Sequence, residues 1–276
     1  MKLKAALLTI VALGTFGVLT EGTSGHAATS DIAPGYINSS HLKTYYVVTK
    51  KSLSTNLYRN VNGQKIRYII PKGKKMLIYS TNDYRNNNHQ IVTIASLNLD
   101  HYSYKFKSSF TNFKKNEPLE GPRFKFKSNL FKINAPKPVL VGENWERGVY
   151  SPFNYTAHPV FNLTADGYIQ FYNTADVKKA DMDASTVFFN CFKPTTYRKI
   201  IKTKTIKNVT YVYYTKPITG LAEHKIQKGL YRLKINTQEI KSHNWASNEN
   251  FYNAIWQPAY VGGKQYFNVI DEMGGD

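Results

Sequence analysis

One cysteine, Cys191, is all that the 276-residue chain contains, so no intramolecular disulfide can form. Tryptophan is scarce, with 3 residues, and acidic residues number 18 against 37 basic ones, which leaves a net charge of +19. Past the N-terminal segment the histidines His41, His89, His101, His158, His224 and His243 stand singly. There is no His-Glu-x-x-His, no cysteine pair at metal spacing, no Gly-x-Ser-x-Gly elbow and no glycine loop that could cradle a phosphate. Zinc, serine-nucleophile and nucleotide chemistries therefore have no support, and no cofactor is expected. Asp176, Asp181 and Asp183 lack the alternation and central glycine of a calcium loop. Cys191 sits in the apolar run Phe188-Phe189-Asn190-Cys191-Phe192, which suits a buried structural thiol.

Long apolar runs are also missing, except at the start. Met1 to Lys4 carry two lysines, Ala5 to Leu19 are almost wholly apolar, and Gly25-His26-Ala27 follows. A charged region, an apolar stretch of about 15 residues and a small-residue cleavage site make a secretory signal, too short for the roughly 20 residues that span a bilayer. Cleavage after Ala27 is expected, and the remaining 249 residues suffice for one large all-β domain or a few small ones. A secreted chain without disulfides resembles the exported proteins of Gram-positive bacteria more than animal secreted domains.

The charge is uneven. Residues 41–137 hold 19 Lys and Arg against 4 Asp and Glu, residues 138–190 hold 3 against 6, and residues 191–276 hold 13 against 6. Thirty of the basic residues are lysine and 7 are arginine. Lysine is a hydrated point charge, whereas arginine is the planar bidentate reader, so the excess suits diffuse attraction to a polyanion over sequence readout. Specific nucleic-acid binding is not expected.

With 21 Tyr, 15 Phe and many Val, Ile and Thr, the chain reads as all-β: tandem small antiparallel barrel or sandwich modules with few short helices. Strands are expected at 44–48, 57–61, 64–70, 75–80 and 90–94, with Asn82–Asn88 a polar loop. Asn62-Gly63 is the favoured two-residue hairpin turn. Arg123–Lys127 alternates, apolar on one face and lysine on the other. Val160–Thr164 and Tyr168–Tyr172 flank Asp166-Gly167, and Pro258–Val261 and Lys264–Val269 flank Gly262-Gly263. Strands are also expected at 187–192, 209–214 and 229–235, and a short helix at 176–184. The implied division is a signal at 1–27, an irregular leader at 28–42, a basic barrel module at 43–110, a Pro/Lys-rich connector at 111–138, a middle β segment at 139–192 and a C-terminal β module at 193–276. Residues 70–79 and 224–233 share a short pattern: apolar, lysine, glycine, then an alternating strand.

Leu57-Tyr58, Asn62-Gly63-Gln64 and Ile70-Pro71-Lys72-Gly73-Lys74-Lys75-Met76-Leu77-Ile78-Tyr79 together resemble the surface-layer protein A domain of lactobacilli, and more loosely bacterial barrels of the Src-homology-3 type. The resemblance covers residues 43–100 and, more weakly, 200–268. It implies small lysine- and tyrosine-rich β modules that follow a signal peptide and hold a secreted protein on the cell wall.

The expectation is a secreted, non-enzymatic protein of the cell surface. Its partner is an anionic wall polymer such as teichoic acid, met by Lys72, Lys74, Lys75, Lys105, Lys107, Lys125 and Lys127. The middle segment would be displayed toward a host or neighbouring surface protein. Tyr68, Tyr79, Tyr211, Tyr213, Tyr231 and Tyr266 divide between core and an outer face open to sugars. Two alternatives stand beside this reading. One is an exported wall-active hydrolase with Glu143 or Glu146 as its acid. The other is a toxin-like or bacteriocin-like protein that acts on anionic membranes.

Overall fold

Alternation of apolar and polar residues along short strands builds two large cores beside a smaller cluster of Val160, Tyr172 and Val177. The computed structural model describes residues 32–115, 117–151, 156–180, 191–246 and 251–275. The expected signal lies outside these residues, as do residues 28–31 of the leader, 181–184 of the expected helix and 187–190 of the expected strand.

The first core lies under the strands β1 (Tyr46–Thr49), β2 (Leu53–Val61), β3 (Gln64–Ile70), β4 (Lys75–Arg85), β5 (Ile91–Asn98), β6 (Arg123–Lys125) and β7 (Phe131–Lys132). A five-stranded antiparallel sheet runs in the order β6-β5-β4-β1-β7, and β2 and β3 form a separate hairpin. Val47, Leu57, Ile70, Met76, Ile78, Leu97, Phe126 and Phe131 are all buried between them. Asn62 and Gly63, at φ 51° and 79°, make the hairpin turn whose two positive φ values match the twist of its strands. The polar stretch Asn82–Arg85 is strand and not loop, because Asn82, Asp83, Tyr84 and Arg85 pair with Ile94, Thr93, Val92 and Ile91.

The expected module limits shift accordingly. Residues 111–138 are no mere connector: Arg123–Lys125 hydrogen-bond along Ile94–Ser96, and Phe131 and Lys132 along β1. Nor does 28–42 stand apart, since Ile37 belongs to the core and its N–H donates to the Phe126 carbonyl at 2.8 Å.

The second core fills a barrel. Its strands are β8 (Asn144–Arg147), β9 (Val160–Leu163), β10 (Tyr168–Tyr172), β11 (Thr196–Ile206), β12 (Val209–Tyr214), β14 (Leu230–Thr237), β16 (Phe251–Val261) and β17 (Lys264–Gly275). They pair in the order β8-β9-β10-β11-β12-β14-β16-β17 and back to β8, antiparallel throughout. Two further strands, β13 (His224–Gln227) and β15 (Lys241–Ala246), pair with β14 and β16 outside this ring. Eight strands enclose a space that side chains just fill, here Trp145, Phe161, Leu163, Ile169, Phe171, Val212, Leu233, Ile235 and Tyr266. The boundary expected between residues 192 and 193 runs through this barrel, because Tyr168–Phe171 pair with Thr196–Lys199.

The two stretches of shared pattern occupy different settings. Pro71–Lys74 joins strands of two different sheets, while Lys228 and Gly229 close the β13–β14 hairpin.

The segment after β5, with the short helix α1 (Tyr104–Lys107), docks on the outside of β9 and β10. Ser103 donates from its N–H and its hydroxyl to the Asp166 carboxylate, at 2.9 and 2.6 Å. The Tyr104 N–H donates to the Gln170 amide oxygen at 2.7 Å, and the Ala165 N–H to the His101 carbonyl at 2.7 Å.

Candidate functional site

Strand alternation sorts β12 into two sets: Val212 and Tyr214 point into the barrel, and Tyr211 and Tyr213 point out. Register then aligns the outward residues of the neighbouring strands. Lys204, Tyr211 and Lys234 form one cross-strand row. Lys202, Tyr213, Arg232 and His224 form the next. Neighbouring strands lie about 4.8 Å apart, so a cation stands on either side of each ring, and no carboxylate stands in either row. The Arg232 guanidinium carbon lies 5.1 Å from the Tyr211 ring centroid, within cation–π range.

The same face continues toward the docked segment. The Tyr168 ring has the Lys199 ammonium 4.5 Å and the Lys105 ammonium 5.5 Å from its centroid, and Tyr197 meets it edge-on at 5.9 Å. Lys199 also donates to the Asp166 carbonyl at 2.6 Å. Lys74 approaches from the first sheet, its ammonium 5.5 Å from the Tyr102 ring centroid. Burial pushes the Lys74 ammonium below the ordinary lysine value; Asp166 opposes the shift and Lys199 reinforces it.

No protein-family model, curated protein or solved structure matches this chain. Its function must therefore be read from its own surfaces.

The seven lysines expected from the sequence do not form one patch. Lys107 is 0% exposed, its ammonium 3.6 Å from the Cys191 thiol, and it cannot meet a polymer. Two residues apart on α1, Lys105 and Lys107 point about 200° away from each other, so one faces out and the other in toward Cys191. Lys75 donates to the Pro136 carbonyl at 3.0 Å. Lys72 is exposed in its turn, Lys125 is exposed on the edge strand β6, and Lys127 covers the Tyr36 ring at 4.6 Å. Lys74 and Lys105 alone join the basic face of the barrel.

Lys199, Lys202, Lys204, Arg232 and Lys234 were missed, although a signal for the last four exists. Lys-x-Lys at 202–204, Tyr-x-Tyr at 211–213 and Arg-x-Lys at 232–234 share a period of two on three strands. That period places each pair on one face of its strand.

The candidate acids offer no open pair. Glu143 is ion-paired with Lys137 at 3.1 Å, and Glu146 is buried on β8. Among the described residues, no three His, Cys, Asp or Glu side chains are grouped to hold a metal ion. No helix among them is long and apolar enough to cross a membrane.

Proposed function

We propose that this chain is an exported, non-catalytic protein that binds an anionic polymer of the bacterial cell wall along the outer face of β11, β12 and β14. The observation that carries the reading is the pair of cross-strand rows in which lysine or arginine flanks tyrosine with no carboxylate between. A polyol phosphate chain, as in teichoic acid, presents evenly spaced monoanions on a flexible backbone. Lysine ammonium groups can follow such a chain without fixed geometry, and tyrosine rings lie against its carbon skeleton. One exposed charge pair at 4 Å gains only about 1 kcal/mol in water, and salt screens beyond about 8 Å. Retention therefore depends on several contacts made at once. The N-terminal signal sequence and the lack of disulfides support export to a Gram-positive surface.

The test is a pull-down of residues 28–276 on purified Gram-positive walls, before and after teichoic acid extraction. Retention that falls with added salt and with extraction, and that is lost in a Lys202→Glu, Lys204→Glu, Lys234→Glu variant, is the expected result. Undiminished retention of that variant, or no retention at low salt, overturns the proposal.

A further inference from the structure

A second surface has a different chemistry. On the first sheet, β4 carries a bulge: Ile78 pairs with Leu97 and Ser80 with Ser96, which leaves Tyr79 as the extra residue. Bulges re-aim a side chain out of the regular alternation. Tyr79 is 68% exposed and lines a cavity of about 310 Å³. Asn82, Asn98, Asp100, Glu120 and Arg123 line the same cavity. A second cavity of about 420 Å³ shares Glu120, Gly121 and Arg123 with the first and extends the cleft toward Ser54 and Asn56.

The wall opposite β4 is held close by a glycine. A Cβ on Gly121 would lie 1.5 Å from the Leu97 carbonyl oxygen, so only glycine lets residues 118–123 run against β5. The Leu97 N–H donates to the Pro122 carbonyl at 3.1 Å, and Leu119 is buried in the core beneath. The cleft is thus built from fixed backbone. Burial raises the Asp100 carboxyl above its ordinary value, with Lys107 and the Asn98 amide opposing.

We infer that this cleft binds an uncharged oligosaccharide, with one pyranose ring stacked on Tyr79 and its hydroxyls held by Asn82, Asn98, Asp100, Glu120 and Arg123. An aromatic platform matches the apolar C–H face of a pyranose. Amides, carboxylates and a guanidinium supply both acceptors and donors, which vicinal hydroxyls need. Two carboxylates beside one guanidinium do not suit an anion, which separates this cleft from the basic rows on the barrel. The second cavity, about 420 Å³ and sharing three lining residues with the first, gives room beyond a single ring. The chain would then grip a wall twice, by phosphate on one surface and by sugar on another.

The experiment measures binding of residues 28–276 to immobilised neutral hexose and N-acetylhexosamine oligosaccharides at about 1 M salt, where the screening length is about 3 Å and the lysine rows contribute little. The expected result is binding that persists at this salt, falls at least about tenfold in Tyr79→Ala and in Asn98→Ala, and is kept by Tyr79→Trp, since stacking survives in the last. Tyr79 is largely exposed, and a thermal melt of each variant confirms that the fold is intact. The Lys202→Glu, Lys204→Glu, Lys234→Glu variant should bind sugar as the unaltered chain does, even where it no longer binds walls. Absence of sugar binding by the unaltered chain, or equal binding by Tyr79→Ala, overturns the inference and leaves the polyanion reading untouched.

Discussion

Replacing Lys204 and Lys234 with glutamine removes both lysines paired with Tyr211 across the sheet while leaving the strands and the barrel core in place. Both side chains are exposed and point away from Leu233, Ile235 and Val212. Five cations, Lys199, Lys202, Lys204, Arg232 and Lys234, lie along the proposed contact face. If each neutralises one phosphate of a flexible chain, log K should fall against log salt with a slope of about −3.5, at about −0.7 per contact. Affinity for a poly(glycerol phosphate) chain should then drop about a hundredfold between about 50 mM and about 200 mM salt. With three cations left, the slope should be about −2 and the same drop about twentyfold. Fluorescence anisotropy of a labelled chain, titrated at four salt concentrations, reads both slopes directly. Lys125→Gln, on the edge strand β6 of the other sheet, is the comparison and should keep the full slope. A double variant whose slope matches that of the unaltered protein refutes the reasoning, as does an equal change from Lys125→Gln.

The other predictions concern the buried groups. Burial, with Lys137 adding, pushes the His101 imidazole down to about 4 from 6.5. Between those two values the unfolded chain binds a proton that the folded chain refuses, so stability falls as pH drops through this window, by up to about 3 kcal/mol. His101→Gln should flatten that limb in urea midpoints measured from pH 7 to pH 4, and an unchanged limb speaks against it. Cys191 is 0% exposed, and burial raises its thiol pKa while Lys107 opposes. It should therefore react with a thiol reagent only when denaturant unfolds the chain, and prompt labelling under native conditions would contradict the packing.

Local chemistry made the hairpins legible. Asn62-Gly63, Asp166-Gly167 and Gly262-Gly263 each announced a two-strand unit whose members touch across two residues. What lies between hairpins is decided by partners far apart in the chain. Arg123–Lys127 reads as a strand on its own, but nothing near it says that β5 is its neighbour. Closure of the barrel rests on Ile235, Asn236 and Thr237 meeting Val261, Tyr260 and Ala259, a pairing that no local pattern encodes. Asn82–Arg85 looked like loop because its residues are polar, and its pairing with β5 overrode that preference. The proposed contact face was half visible for the same reason. Each strand's i, i+2 pair is written in the sequence, while the register that sets lysine beside tyrosine is a property of the assembled sheet. Lys107 shows the opposite failure: a lysine next to exposed lysines in sequence lies inside, beside Cys191.

Asp166 sits in the turn between β9 and β10, and its carboxylate receives both the N–H and the hydroxyl of Ser103. One side chain thus serves a barrel hairpin and the seam with the preceding sheet. Cutting the chain near residue 138 would strip Asp166 of both donors and Gln170 of the Tyr104 N–H. The two halves are therefore poor candidates for exchange between proteins as independent beads. A new N-terminal half would have to bring its own pair of donors to Asp166, and the two proposed binding surfaces would be inherited together.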